Sequence, residues 1–228
     1  MRYRLLATIK NMIRTIFSKS KRTPLNILCL GAHSDDIEIG CGGTMLRLID
    51  EYPLLHVFWV VFGARGRRAD EARKSAKLFL AGVTEKKVVI RDFRDGYFPY
   101  CGAEIKDYFE ELKGQFSPDL IFTHYRKDLH QDHRLIEELT WNTFRNHLIL
   151  EYEIPKFDGD LGSPNYYVRV DETVASKKVH YLRESFTTQR EKDWFTDDVF
   201  ISLMRLRGVE ARSSSKYAEG FYAHKIVQ

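Results

Sequence analysis

From Leu25 onward, short apolar runs alternate with segments whose apolar residues recur every three to four positions. The runs at 25–31, 54–62 (LLHVFWVVF), 87–91 (KVVIR) and 119–123 (DLIFT) are apolar nearly throughout, the pattern of strands covered on both faces. Between them, 41–51, 69–81 and 102–116 carry helical spacing, with Ala72, Ala76 and Leu80 at i, i+4 and i+8. Past residue 132 the pattern predicts a helix to about 147, a strand over 148–154 (LILEYEI) and a loop over 155–164, where PKFDGDLGSP is turn chemistry. A strand at 165–170, helices at 173–189 and 194–207, and a closing strand at 219–227 complete the elements. Such β-α-β-α alternation predicts a Rossmann-like three-layer α/β/α sandwich with a mostly parallel sheet. Ligands of open sheets of this kind gather outside the carboxyl ends of the strands. The chain shows no internal repeat and no low-complexity segment, so residues 24–228 are expected to form one domain.

Composition adds little to this picture except at the N-terminus. The 43% hydrophobic and 30% charged residues are those of a soluble globular protein, and no stretch approaches the ~20 apolar residues of a membrane span. Cys29, Cys41 and Cys101 are an odd number at no metal-binding spacing, which points to free thiols in a reducing, cytoplasmic setting. The net charge of +4 resides in residues 1–23, which hold Arg2, Arg4, Lys10, Arg14, Lys19, Lys21 and Arg22 and no acid. The remaining body is slightly acidic, so no nucleic-acid partner is expected. Leu5, Leu6, Ile9, Met12, Ile13, Ile16 and Phe17 make an apolar stripe beside those basic residues. The segment fits a helix lying on an anionic membrane surface, such as the inner membrane face. It also fits a targeting presequence, or a helix packed on its own domain or a partner. The pattern does not specify an oligomeric state.

Two polar clusters interrupt the apolar pattern, each just after a predicted strand. His33, Ser34, Asp35 and Asp36 follow the first strand; Asp128, Leu129, His130, Gln131, Asp132 and His133 follow DLIFTH. In a parallel sheet both fall at the same carboxyl edge, so residues ~100 apart in sequence can meet. Their imidazoles and carboxylates are the set that holds a divalent cation, with three protein ligands and an open fourth position as the catalytic arrangement for zinc. Iron(II) shares such ligands. A further carboxylate could then handle protons, and a histidine could serve an oxyanion or a leaving group. The plainer alternative is that the aspartates cap helices and His130 is a surface residue.

GAHSDDIEIGCGGT and DLHQDHR resemble the two signatures of the PIG-L/LmbE-like de-N-acetylases, AHPDD and HxDH. The resemblance runs from about residue 25 to the end and takes in RRADEARKSAKLFLAGV from Arg67, the turn at Asp95-Gly96, Gln189 and YAEGF at 217–221. That family contains zinc-dependent hydrolases that remove acetyl groups from N-acetylglucosamine-containing compounds. The resemblance implies His33, Asp36 and His133 as metal ligands, and Asp35 as the base for a metal-bound water that attacks the amide carbonyl. It further implies His130 at the oxyanion or leaving amine with Asp132 orienting it, Arg68 reaching the substrate, and Asp128 behind the ligands. The substrate would be an N-acetylated amino sugar, free, nucleotide-linked or lipid-linked. Cys41 in the GCGG turn is expected to pack. His56, His124, His147, His180 and His224 have no partner visible in the sequence. Ser34 stands where the family usually has proline.

Two other assignments compete for the same residues. DLHQDH lies one residue from the HxHxDH signature of metallo-β-lactamase-like hydrolases, with Asp128 in place of their first histidine. That reading leaves His33, Asp35 and Asp36 unexplained and requires a strand-rich sandwich. The other rival is a membrane-recruited sugar-binding module without turnover. GAHSDD lacks the glycines of a dinucleotide-binding turn.

Overall fold

The structure is a computed structural model that describes residues 23–226. The amphipathic stripe and basic residues of 1–22 lie outside the described residues. Seven strands form one sheet in the order β3-β2-β1-β4-β5-β7-β6: β1 Leu25–His33, β2 Leu55–Gly63, β3 Glu85–Ile90, β4 Leu120–His124, β5 Leu148–Tyr152, β6 Tyr166–Val170 and β7 Tyr217–Tyr222. The first five pair in parallel, while β7 runs antiparallel to both β5 and β6.

Alternation along β1 shows why its sequence is apolar throughout. Leu25, Ile27 and Cys29 enter one core, whereas Leu28, Leu30 and Ala32 enter the other. The first core is covered by α1 (Asp36–Glu51), α2 (Arg67–Phe79), α5 (Glu172–Ser185) and α6 (Asp197–Glu210). The second is covered by α3 (Gly102–Gln115) and α4 (Gln131–Thr143), with a short 3-10 turn at Phe98–Cys101. Ala72, Ala76 and Leu80 are buried in the first core, as their spacing predicts. A parallel sheet between two helical layers is not the pair of packed sheets that a metallo-β-lactamase-like hydrolase requires.

The predicted helix at 41–51 is only the second half of α1. Cys41 leaves the helical region (φ −139°, ψ 15°) and divides the element in two. The glycines around it admit close packing, since a Cβ on Gly40 would stand 2.1 Å from the Tyr152 ring and one on Gly42 2.6 Å from Phe79. Cys41 is fully buried there, in the packing role expected of it, and burial pushes its thiol up. The closing strand begins two residues early and ends at Tyr222, because its partner β6 spans only Tyr166–Val170.

β1, β2 and β3 are laid down in one direction, and the chain then crosses back to place β4 and β5 on the other side of β1. The reversal opens a crevice between the carboxyl ends of β1 and β4, where open α/β sheets bind ligands.

Candidate active site

β1 delivers His33 as its last residue, and α1 opens at Asp36. Asp35 occupies the N-cap position, yet its side chain makes no capping hydrogen bond. Capping is the ordinary reason for an aspartate there. Asp36 is turned back instead, with Oδ2 accepting the His33 backbone N–H at 2.6 Å. Across the crevice β4 ends in His124, and residues 125–130 lead into α4, whose first turn carries Asp132 and His133.

The two clusters meet. His33 Nδ1 lies 3.2 Å from His133 Nε2 and 3.4 Å from Asp36 Oδ2, and His133 Nε2 lies 3.5 Å from that same oxygen. A tetrahedral ion with bonds of about 2.0–2.1 Å separates its ligand atoms by about 3.3–3.4 Å. The three donors are therefore spaced as one face of such a tetrahedron, and these residues fit a zinc-sized cation. Other groupings of the same neighbourhood also bring one donor atom each within 4.8 Å: His33, His130 and His133; Asp36, His124 and His133; or His33, Asp95, His130 and Asp132.

Carboxylates stand behind the imidazoles. His133 Nδ1 faces Asp128 Oδ2 at 2.9 Å, and His33 Nε2 faces Asp132 Oδ2 and Asp95 Oδ1, each at 3.1 Å. A carboxylate in that position fixes the proton on the outer nitrogen and turns the inner lone pair toward an ion. Two inward lone pairs 3.2 Å apart repel unless a proton or a cation lies between them.

The charge balance points the same way. Among the described residues, five carboxylates (Asp35, Asp36, Asp95, Asp128 and Asp132) line the crevice, and two permanent cations meet three of them: Arg68 meets Asp35 and Asp95, and Lys156 meets Asp128. Burial alone would lower His33, yet Asp132, Asp36 and Asp95 carry it well above its ordinary value. The adjacent acids diverge. Burial and the Asp36 charge raise Asp35, against the pull of Arg68. Asp36 is held well below the usual range by His133, His124 and His33, which outweigh its burial. Burial, with Asp35 and Asp36 nearby, pushes Glu38 up to about 8, so it is neutral at pH 7. The crevice is thus surplus in negative charge, a field that attracts a cation.

His130 is the N-cap of α4. Its Nδ1 accepts the Asp132 backbone N–H at 3.2 Å, which leaves the ring proton on Nε2 as a donor. Burial and the neighbouring His133 and His33 lower its pKa, favouring that neutral form. The Asp132 carboxylate turns away from His130: Oδ2 accepts from Gly96 N–H at 2.6 Å besides meeting His33, and Oδ1 accepts from Phe98 N–H at 3.1 Å. Arg68 reaches across the crevice from α2, with Nε on Ser34 Oγ at 3.1 Å, one amino group on Asp95 at 2.9 Å and the other 3.5 Å from Asp35. The serine at the family's proline position thus supplies a hydroxyl that anchors Arg68.

Two residues join the site without having been singled out by pattern. His124, fully buried at the end of β4, accepts the Ala32 N–H at 2.9 Å and stands 3.3 Å from Asp36 Oδ2. Burial and His133 lower it to about 4. Its place as the last residue of DLIFTH, at the same edge as His33, was the available signal. Asp95 reads in the sequence as half of an Asp-Gly turn. Gly96 does take positive φ (79°), and the turn aims the Asp95 carboxylate at His33 and Arg68. His56 and His180, by contrast, sit away from the crevice beside Glu85 and Glu184.

The family model described as GlcNAc-PI de-N-acetylase, PIG-L, matches residues 28–144, just over half of the chain. The chain belongs to the PIG-L family. Both polar clusters lie inside the matched region. A curated relative, the uncharacterized deacetylase YaiS of Escherichia coli K12, is 28% identical over 140 residues, covering 57% of this chain and 74% of YaiS. Among solved structures, the chain is similar to N,N'-diacetylchitobiose deacetylase from Pyrococcus horikoshii with its inhibitor MPG. The TM-score is 0.66 at 21% identity, over 87% of this chain and 83% of that one. GalB, the 4-carboxy-2-hydroxymuconate hydratase of Pseudomonas putida KT2440, has the same fold with TM-score 0.64 at 15% identity, over 90% of this chain and 98% of that one. At such identities the likeness is one of fold, and the hydratase marks how far chemistry diverges on it. Among the described residues, no helix is long and apolar enough to cross a membrane.

Proposed function

We propose that residues 24–228 form a zinc-dependent de-N-acetylase domain that acts on an N-acetylated amino sugar or its conjugate. The observation that carries this reading is the triangle of His33 Nδ1, Asp36 Oδ2 and His133 Nε2, with sides of 3.2–3.5 Å, beside an aspartate that caps nothing. His33, Asp36 and His133 would hold the ion, which when bound lowers the pKa of a water and polarises a carbonyl; iron(II) suits the same donors. Asp35, raised by burial and by Asp36, takes the proton of the attacking water and passes it to the departing amine nitrogen. His130 donates from Nε2 to the oxyanion that develops on the amide oxygen. Arg68, anchored on Ser34 and Asp95, steadies Asp35 and presents its remaining donors to sugar hydroxyls. Products are acetate and a free amine.

The mouth of the crevice supports a substrate larger than a single sugar. Tyr97 closes the Asp95 turn and Tyr100 follows it, while Leu129 lies in the segment before α4 and Phe157 and Leu161 in the 155–164 loop; all five are exposed. Aromatic faces stack on sugar rings, and the aliphatic side chains suit an aglycone. The activity named for the Pyrococcus relative supports an N-acetylated sugar as the class. Residues 1–23 would add a peripheral contact with an anionic, cytoplasm-facing membrane, which favours a lipid-linked form.

The test is acetate release from free, nucleotide-linked and lipid-linked N-acetyl sugars, with and without a chelator. Zinc-restored release from at least one conjugate is expected. Zinc binding without hydrolysis of any of them would overturn turnover in favour of a sugar-binding module.

A further inference from the structure

The connection between β5 and β6 carries a lysine that the proposed reaction does not use. Beyond Lys156 the loop opens to solvent, and its neighbour Phe157 is 76% exposed. Yet the Lys156 side chain is only 8% accessible. Burying an ammonium is strongly disfavoured unless it is paired, and two carboxylates meet it: Asp128 Oδ2 at 3.0 Å and Asp160 Oδ2 at 2.5 Å. Asp160 Oδ2 also accepts the Leu129 N–H at 2.7 Å, fastening the loop to the segment that precedes α4.

Asp160 alone, four residues along the same loop, would suffice to neutralise Lys156. The second contact goes to the carboxylate that stands behind a candidate ligand. Asp128 Oδ1 is committed to the His130 N–H at 2.8 Å. Its Oδ2 is shared, with Lys156 Nζ at 3.0 Å on one side and His133 Nδ1 at 2.9 Å on the other. An oxygen that accepts from two donors is pinned in direction. The lysine therefore sets the orientation from which the Asp128 carboxylate aims His133.

We propose that Lys156 is a positioning residue which couples the 155–164 loop, through Asp128, to the His133 ring of the ligand set. The proposal rests on the metal reading above. Coupling of this kind is reciprocal: an ion held by His133 steadies the loop, and a displaced loop loosens the ion.

Zinc affinity of the full chain, read by chelator competition, tests it. Lys156→Met should weaken zinc by roughly 10-fold, the lower end of what loss of an outer hydrogen-bond partner costs. Lys156→Arg should restore most of the affinity. In an Asp128→Asn background, Lys156→Met should add nothing further, because the two act through one contact. A lysine that merely ties down the loop would lower the melting temperature and leave zinc affinity unchanged, and that result overturns the proposal. Should Lys156→Met fail to fold, the wild-type chain carries its own test. Zinc should slow amide hydrogen exchange across 155–164, although no ligand lies in that loop; unchanged exchange overturns the proposal. A wild-type chain that binds no zinc would instead remove the metal reading, and this inference with it.

Discussion

Behind α1, Lys178 and Glu219 form an ion pair at 2.6 Å with side chains 4% and 3% accessible. A few residues earlier in α1, the carboxyl edge holds Asp35 and Asp36, equally buried. The first region is closed. Glu219 accepts from Lys178 and from the Gly43 and Thr44 N–H groups at 2.8 and 2.6 Å, while Lys178 also donates to the Ile39 carbonyl. The pair thus fills the break at Cys41, with the acid at the new helix start and the base at the old helix end, as the helix dipole favours. Arg207 and Glu153 form a similar pair through two hydrogen bonds of 2.6 and 2.7 Å. At the carboxyl edge, charges outnumber partners and lone pairs face each other. Buried charge that is matched is architecture; buried charge left in surplus is a site awaiting a cation or a substrate.

Replacing a surplus charge should cost activity but not stability. Asp35→Asn is expected to lower turnover by roughly 10²–10⁴-fold, the usual worth of a general base. Zinc affinity should be retained, and the metal-free melting temperature should hold or rise because a carboxylate whose charge is disfavoured by burial and by Asp36 is gone. Turnover, chelator competition and thermal melts on one preparation check all three. Unimpaired turnover removes Asp35 from its role, and a lowered melting temperature breaks the contrast.

Replacing a matched charge should do the reverse. Glu219→Gln leaves the Lys178 ammonium buried without its counter-ion, a loss of about 3–5 kcal/mol. Urea unfolding measures it, and zinc affinity of the folded fraction should stay within about 3-fold of wild type, a difference of about 0.7 kcal/mol. A near-neutral Glu219→Gln would mean that the pair is dispensable and that the two regions differ less than their geometry implies.

The sequence made the surplus region readable and hid the matched one. His33, Asp35, Asp36, Asp128, His130, Asp132 and His133 interrupt apolar runs at the ends of predicted strands, where the carboxyl-edge rule gives them a meeting point. Strands β1, β2, β4 and β5 were legible for a related reason: covered on both faces, they are apolar nearly throughout, whereas β3 is an edge strand whose Glu85, Lys86 and Lys87 stay exposed. Nothing local marks Lys178 or Glu219, because an isolated charge in a helix or strand reads as a solvated face until a partner 41 residues away closes on it. His124 failed for the same reason, its partners coming from β1 and α1. The first half of α1 was lost because its residues read as site chemistry before they read as helix.

Ser34 offers a finer test. Its hydroxyl is a neutral group that links the surplus region to a cation, since Arg68 Nε donates to it at 3.1 Å. Ser34→Ala removes one hydrogen bond to a charged partner that keeps two carboxylates, so the expected loss is about 1 kcal/mol, or roughly 5-fold in kcat/KM. The loss should appear mainly in KM if, as proposed, Arg68 meets the substrate rather than the reacting bond. Ser34→Pro, the residue usual in the family, should behave alike; a fall confined to kcat would assign the hydroxyl to Asp35 instead.

A third cluster lies between the two extremes and gives the smallest effect. Glu137 and Glu151 approach each other between α4 and β5. Arg126 Nε donates to Glu137 at 3.0 Å, and Trp141 Nε1 donates to Glu151 at 2.7 Å, with His224 Nε2 3.0 Å from the same oxygen. Here the surplus is resolved by a proton: burial, with the Glu151 charge beside it, pushes Glu137 from its ordinary 4.5 up to about 7. The folded chain therefore binds more protons than the unfolded chain between those values, and stability must fall with rising pH across that window. The contribution is fully present below about pH 4.5 and is lost as pH passes 7. The partly exposed Arg126 and His224 at the rim of the cluster bring solvent screening to it, so the change in melting temperature should be a few degrees. Glu137→Gln keeps the neutral shape at every pH and should flatten that slope while leaving zinc affinity alone. An unchanged slope would mean that Arg126 already neutralises the pair, and the cluster would then belong with Lys178 and Glu219 on the matched side.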